Sequence, residues 1–283
     1  MGTSAPSSGP NSKVPFDPPW LDDIEIPPLG DGPPPDDQKP GDADLGNDQP
    51  QPSPEPPEVA PRARFGAARR TLGEFARSGK EGSFRRAFGH YSRTGMGGAR
   101  RTANRMRTSA RSGASTFGVL QAARERTNPV INDWVDSLKT RNASAQEIAD
   151  EIVKRTTSSG GSLDEAACQQ SMAQAMGDLL TSNPDVDLFN LADDDIWGLM
   201  ASFLGYEAFH RLCLDIGQVF ESFSFSPRES VTRMNEMRNY LKAELSVQIE
   251  TLRSGAYHAT PSQLQFILQS ALENTFAVYE GAI

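Results

Sequence analysis

Apolar residues recur with helical spacing over residues 127–283, and no useful length of this segment alternates between apolar and polar positions. The clearest stripe runs from Leu264 to Phe276, where apolar side chains return every three or four residues, as on one face of a helix. We therefore predict an all-α fold. Helices are expected near 130–141, 145–157, 163–181, 194–206, 207–221, 227–253 and 261–280.

Helix-start signals support these boundaries. A capping box pairs a hydroxyl side chain with a Glu or Gln three residues later, and proline is favoured at the first helical position. The signals are Ser144 with Glu147, Ser162 with Glu165, Ser226 with Pro227 and Glu229, and Thr260 with Pro261.

Residues 62–126 contain a short internal repeat, in which Leu72–Gly79 recurs as Phe88–Gly95. Each copy is predicted to be the last two turns of a short helix, with the closing glycine in the left-handed position that ends a helix. Ser83 is expected to cap the second of these helices. A third helix is expected from Gly98 to about Ala123, after a glycine-rich turn.

Residues 1–61 have a different composition, with 17 of the 21 prolines and 12 acidic residues against two basic ones. Proline removes backbone donors, and the segment has too little apolar surface to offset the entropy of ordering. We expect a disordered tail. One apolar island interrupts it and is interpreted as a docking motif for a partner: Val14, Phe16, Trp20, Leu21, Ile24 and Ile26.

Charge divides the chain at the same places. The net charge of −9 is the sum of −10 in residues 1–61, +13 in residues 62–126 and −12 in residues 127–283. We therefore divide the chain into a disordered acidic tail, an Arg-rich helical segment and an acidic α-helical domain. No apolar stretch is long enough to span a membrane and no signal peptide is evident, so a cytoplasmic protein is expected.

Candidate chemistry is sparse. The three histidines lie in different predicted elements, and no nucleotide-binding, metalloprotease or hydrolase motif occurs. Asp193, Asp194 and Asp195 are interpreted as first-turn carboxylates that favour the helix dipole rather than as metal ligands. His210 and Cys213 share a helix face but are interpreted as core residues, and both cysteines as free thiols. We expect no catalytic residues, no metal site and no cofactor of its own.

The Arg-rich segment has two interpretations that the sequence leaves open. Its arginines, with Phe65, Phe75, Phe84, Phe88 and Tyr91 interleaved, suit a nucleic-acid backbone with base stacking. They also suit docking onto acidic protein surfaces, in the same chain or in a partner. The candidate contact residues are Arg77, Arg85, Arg86, Arg93, Arg100, Arg101 and Arg105.

Two stretches resemble a known family. The opening Met1-Gly2-Thr3-Ser4 with the later Pro18-Pro19-Trp20, and the block from Leu72 to Arg100, are similar to QatB proteins, components of the bacterial four-gene Qat anti-phage defence system. The resemblance covers roughly the first 110 residues. The sequence departs from the family at Lys13-Val-Pro-Phe-Asp17, where the family has an apolar proline-rich run.

The resemblance implies three partners: a QueC-like enzyme (QatC), an ATPase (QatA) and a TatD-like nuclease (QatD). It also implies that the α-amine of Gly2 is joined to a deazaguanine, the partner enzyme using ATP and 7-carboxy-7-deazaguanine. Thr3 and Ser4 would then dock beside Gly2. The alternative is a nucleic-acid-binding adaptor that recruits phage nucleic acid to the nuclease through the Arg-rich segment.

Overall fold

A computed structural model describes residues 61–157, 163–222, 226–253 and 259–283. Within these ranges there are eleven α-helices, one π-helical turn at Tyr91–Met96, and no strand, so the prediction of an all-α fold is confirmed. The helices are α1 (Gly66–Ser78), α2 (Glu81–His90), α3 (Ala99–Arg105), α4 (Arg107–Glu125), α5 (Pro129–Thr140), α6 (Ala145–Thr156), α7 (Leu163–Ser182), α8 (Asp193–Ile216), α9 (Val219–Ser222), α10 (Pro227–Leu252) and α11 (Pro261–Glu280). The predicted disordered tail lies outside the described residues apart from Pro61.

Three of the four predicted helix starts are confirmed. Ser144, Ser226 and Thr260 each accept a hydrogen bond from the backbone N–H three residues later, and the side chain there returns the bond. Proline occupies the first turn of the helices that Ser226 and Thr260 begin. The fourth, Ser162 with Glu165, involves a residue outside the described ranges.

Helices α8 and α11 form the centre of the fold. Helix α8 packs against α4, α7 and α10, and α11 packs against α2, α3, α4 and α10. The stripe predicted on α11 faces the core, where Leu264, Leu268, Leu272 and Phe276 are almost completely buried. Residues 63–283 form one compact unit around these two helices.

The prediction of separate helices at 194–206 and 207–221 is wrong, because α8 continues without a break to Ile216. Residues 203–209 are all buried, so packing holds this part of the helix on every side. Gly205 does not interrupt it. A Cβ at Gly205 would lie 2.6 Å from Cγ of Lys242, so the glycine allows α10 to approach α8 closely.

The predicted helix from Gly98 to Ala123 is instead two helices, α3 and α4, separated at Met106. Met106 has φ −99° and ψ 17°, and its N–H donates to the carbonyl of Ala103 only three residues back. Its side chain is 1% exposed. The helix therefore breaks at a residue whose side chain is packed in the core. Helical periodicity alone does not predict such a break.

The two copies of the repeat end differently. Gly79 takes the predicted left-handed conformation, with φ 65°. The same prediction for Gly95 is wrong: the chain continues through the π-helical turn, and the left-handed glycine that ends it is Gly97. A Cβ at Gly95 would lie 2.5 Å from the ring of Phe65, so Gly95 is required for packing.

Ser83 does not cap α2. The helix begins two residues earlier, at Glu81, and Ser83 is buried inside its first turns. The N-cap residue is Lys80, which makes no side-chain capping bond. Ser83 therefore lies on the buried face of α2 and not at its N-cap.

Helices α1 and α2 share the core of the acidic helices through an aromatic cluster. The ring centroid of Phe88 lies 5.1 Å from that of Phe276 on α11, and the centroid of Phe84 lies 5.5 Å from that of Tyr240 on α10. Such ring contacts add to the stabilisation that burial provides. No described helix combines the length and apolarity that a membrane span requires.

A prediction concerns the close approach of α2 to α11 at Gly89. A Cβ there would overlap the backbone carbonyl of Tyr279, which cannot move as a flexible side chain can. We expect Gly89→Ala to destabilise the protein by about 1–3 kcal/mol, measured by urea denaturation. Gly82→Ala, on the same helix with no atom within 4 Å, is the matched control and is expected to be neutral or stabilising. Equal stability of the two variants would contradict this account of the contact.

Candidate interaction surface

The predicted modification site and docking motif lie outside the described residues and stay predictions. They comprise Gly2, Thr3, Ser4, Val14, Phe16, Trp20, Leu21 and Ile24. The candidate contact residues that the structure does describe are the arginines of segment 62–126. They fall into two groups, those that bind other parts of the fold and those that face outward.

Arg85 and Arg86 belong to the first group. Nε of Arg85 lies 3.0 Å from Oε1 of Glu81 on the same helix, and its Nη2 lies 3.9 Å from a carboxylate oxygen of Glu244 on α10. Nη2 of Arg86 lies 3.6 Å from Oε2 of Glu74 on α1. These partly exposed pairs each contribute little stability, but they occupy the two guanidinium groups.

Contacts between residues far apart in sequence join the Arg-rich segment to the acidic helices. Arg124 on α4 lies 2.7 Å from Oδ1 of Asp193, and Nη2 of Arg69 donates to the backbone carbonyl of Asp215 at 3.2 Å. The hydroxyl of Tyr91 donates to the carboxylate of Asp215 at 2.8 Å. Part of the positive charge is therefore neutralised inside the chain, as one of the two interpretations of the segment expects.

The remaining candidate arginines lie closer to solvent. Arg77, Arg93 and Arg100 are exposed, and Arg101 and Arg105 are half-buried, with Nη1 of Arg105 donating to Sδ of Met96 at 3.2 Å. Arg93 and Arg100 form no salt bridge with any described residue. These two are the candidate residues placed to meet an external partner.

The aromatic residues interleaved with the arginines are not available for base stacking. Phe65, Phe75, Phe84, Phe88 and Tyr91 are between 0% and 8% exposed. Each of these rings contacts at least one other ring of the set, and some also contact rings of α10 and α11. The Phe65 ring stacks on that of Tyr91, with 5.7 Å between the ring centroids. Of the two open interpretations, the part in which these rings stack with bases is wrong, because the rings form the core that the Arg-rich segment shares with the acidic helices.

Two arginines that were not predicted as contacts lie on the outer face of α4. Arg107 and Arg111 are four residues apart, so their side chains lie on one side of the helix. Arg111 is exposed, Arg107 is half-buried, and neither forms a salt bridge with the residues described. The i, i+4 spacing is visible in the sequence, but the direction of this face is not.

Glu207 is a buried carboxylate that joins three helices. It accepts hydrogen bonds from the hydroxyls of Ser109 on α4 and Ser171 on α7, the latter at 2.6 Å. Nδ1 of His210 lies 2.9 Å from Oγ of Ser171. Ser171 donates its only hydroxyl proton to Glu207, so its oxygen can only accept a hydrogen bond from His210. We therefore assign a proton to Nδ1 of the His210 ring.

Burial determines the titration of this network. It raises the pKa of Glu207, although the two serine hydrogen bonds oppose the shift. It lowers the pKa of His210, and the charge of Arg238 acts in the same direction. Ser171 is 0% exposed, so its pairing with His210 and Glu207 connects α7 with α8 and does not present a nucleophile at the surface.

The other candidate chemistry is also accounted for by packing. Cys168 is buried and Cys213 is half-buried against the core, and burial raises the pKa of each thiol to about 12. The predicted first-turn position of Asp193, Asp194 and Asp195 on α8 is confirmed. Asp194 lies 2.7 Å from Nη1 of Arg253, so this carboxylate pairs with an arginine.

The described helices thus define an all-α protein in which Glu207 pairs with Ser109 and Ser171 within the core, and which carries outward arginines on α3, on α4 and in the π-helical turn. Comparison with family models matches residues 97–279 to QatB, the Qat anti-phage system associated protein QatB. Because the match spans more than half of the chain, the chain belongs to the QatB family. The comparisons with curated proteins and with solved structures found no significant match.

The family match confirms the resemblance given above and extends it. That resemblance depended on roughly the first 110 residues, whereas the match begins just before α3 and ends one residue short of the end of α11. Membership of this family gives the chain a role in the Qat anti-phage defence system.

The lowered pKa of His210 makes the stability of the fold depend on pH. Its pKa is about 6.5 in an unfolded chain and lower in the fold, so the folded state loses stability as the pH falls through this range. The raised pKa of Glu207 acts in the opposite direction, since its contribution to stability is lost as the pH rises. We expect His210→Gln to lose less stability than the native protein between pH ~7.5 and pH ~5.5, measured by urea denaturation at both values. An unchanged pH dependence would contradict the lowered pKa of His210.

Proposed function

We propose that this QatB-family chain is a cytoplasmic, non-enzymatic component of the defence complex and the substrate of a QueC-like partner. In this proposal the helical unit, residues 63–283, holds the chain in the complex. The segment before it presents the α-amine of Gly2 to the partner. The observation that carries the proposal is the family match over residues 97–279.

The proposed reaction forms an amide. The partner activates the carboxylate of 7-carboxy-7-deazaguanine with ATP to an acyl adenylate, with release of pyrophosphate. The Gly2 amine attacks the acyl carbon, a C–N bond forms, AMP leaves with the C–O bonding electrons, and the amine gives up a proton to solvent. Glycine suits this attack because no side chain hinders the approach.

The α-amine is also favoured over lysine by its protonation state. An α-amine has a pKa of about 7.7–8.0 and a lysine side chain one of about 10.4, so far more of the α-amine is unprotonated near neutral pH. The lysines nearest the amine in sequence are Lys13 and Lys39, each with proline within two residues. Proline restricts the conformations through which these side chains could reach an active site.

The described residues support a scaffolding role for the helical unit. Ser171 pairs with His210 inside the fold and connects α7 with α8, and burial raises the pKa of each of the two thiols of the unit. The proposal accordingly assigns the chemistry to the partner, with the ATPase QatA and the TatD-like nuclease QatD as further members of the complex.

The first test measures the mass gain of the chain and locates it on Gly2. The full chain, incubated with the QueC-like partner, ATP and 7-carboxy-7-deazaguanine, is expected to gain one deazaguanine acyl group, and tandem mass spectrometry should place it on Gly2. Gly2→Leu is expected to abolish the mass gain, because a bulky second residue retains Met1 and the chain then ends in an α-amine whose approach the methionine side chain hinders. Gly2→Ala, which still permits removal of Met1, is the matched control and should keep part of the reaction.

A second control separates the α-amine from the lysines. Replacement of Lys13 and Lys39 by Arg should leave the mass gain unchanged, since neither side chain is the proposed nucleophile. Modification of a lysine, or an unmodified Gly2 in a complex that still protects cells from phage, would refute the proposal.

The second test concerns the apolar island around Trp20. Burial of a large apolar side chain stabilises a complex by about 1.5–3 kcal/mol before ordering costs are subtracted. We expect Trp20→Ala to weaken binding to the QueC-like partner at least ~tenfold in calorimetry, since ~1.4 kcal/mol corresponds to a factor of ten. Val59→Ala, an apolar truncation outside the island, is the control and should leave the affinity unchanged. Equal affinity of native protein and Trp20→Ala would show that the island is not a docking motif.

A further inference from the structure

We propose that the outer face of α3 and α4 binds the phosphate backbone of double-stranded nucleic acid without reading its sequence. We assign to this face Arg100 on α3 and Arg107 and Arg111 on α4, three arginines without a salt bridge to a described residue, and we call them the arginine face. This inference concerns a second activity of the chain and does not depend on modification of Gly2.

The charges of the arginine face are not neutralised within the described part of the chain. None of the three guanidinium groups forms a salt bridge with a described residue, whereas Arg85, Arg86 and Arg124 all do. The sequence contains no Asp or Glu from residue 82 to residue 124, so no carboxylate lies on α3 or on α4 before its last residue. The arginine face is therefore one place where the positive charge of the segment is directed outward.

The overall negative charge of the chain does not cancel this local field. Charges in solvent are screened beyond about 8–10 Å at physiological ionic strength. Asp164 lies close to this region, because Arg211 contacts both its carboxylate, at 3.0 Å, and the backbone carbonyl of Arg105. Asp164 is thus already paired with Arg211.

The residues beyond the arginines of α4 allow another molecule to approach closely. By helical periodicity Ser115 and Gly118 lie on the same side as Arg111, and Ser115 is exposed. A Cβ at Gly118 would have no atom within 4 Å. Arg107 and Arg111 are separated by about 6 Å along the helix axis, so they can contact neighbouring phosphates while the small residues avoid steric conflict.

The buried aromatic residues favour a duplex over a single strand. Binding of single strands commonly depends on aromatic side chains that stack with unpaired bases. The five rings of this segment, Phe65, Phe75, Phe84, Phe88 and Tyr91, are in the core and cannot serve in this way. Guanidinium groups directed outward without exposed rings suit contacts to phosphate, which position a protein on a duplex but carry no sequence information.

The test measures binding of the full chain to a fluorescein-labelled DNA duplex of about 25 base pairs by anisotropy, between about 50 and 200 mM NaCl. We expect the affinity to fall steeply with salt and to be equal for two duplexes of unrelated sequence. The triple variant Arg100→Gln, Arg107→Gln and Arg111→Gln should bind at least ~tenfold more weakly. Its log–log salt slope should be smaller by about 2.7, since each phosphate contact contributes about 0.9.

Two matched controls separate the arginine face from general charge. A triple variant of exposed arginines elsewhere, Arg141→Gln, Arg155→Gln and Arg228→Gln, removes the same charge and should bind like the native protein. At the open position on the face, Gly118→Glu should weaken binding through repulsion, whereas Gly118→Gln should not. Thermal unfolding followed by circular dichroism verifies that each variant is folded.

Each outcome decides the proposal. The proposal is supported if the affinity for duplex and the salt slope fall only in the arginine-face triple variant and in Gly118→Glu. Absence of binding at the lowest salt, or equal losses in the two triple variants, overturns it. If polyglutamate displaces the protein as effectively as an unlabelled duplex of equal charge, the face binds acidic protein and the proposal is wrong. Tighter binding to a single strand of the same length would overturn the assignment to duplex.

Discussion

The fold depends on covering the middle of α8 on all sides. Residues 203–209 of this 24-residue helix are all buried, so no orientation allows this part of it to lie on a surface with one face in water. Helices α4, α7 and α10 surround it, and α11 packs beside α4 and α10 to complete the core. Because these neighbours come from distant parts of the sequence, the basic segment and the acidic helices have to fold together.

A single carboxylate within this core adds specificity to the packing. Glu207 lies on the buried part of α8, and a buried carboxylate is costly unless donors satisfy it. Ser109 and Ser171 supply the donors from the two helices on either side, α4 and α7. These hydrogen bonds are formed in only one register of the helices along α8, so they add to the specificity of the apolar packing.

The arginines of the basic segment have different roles according to what lies opposite each side chain. Arg124 meets the acidic first turn of α8, and Arg85 meets Glu81 and Glu244, so these residues connect helices. Arg107 and Arg111 meet no described carboxylate. The same residue type therefore contributes to internal neutralisation and to an outward-facing charged surface, and these two interpretations of the segment are compatible.

The sequence by itself determined the helical class, most helix boundaries after residue 127 and three capping boxes, because each depends on residues close together along the chain. Position within the chain also predicted the first-turn carboxylates of α8 and the left-handed Gly79. Tertiary structure alone decided that α8 continues past Gly205, that Gly95 packs against Phe65, and that the rings among the arginines are buried. It also decided which arginines are paired. Those outcomes depend on contacts between helices far apart in sequence, for which local periodicity carries no signal.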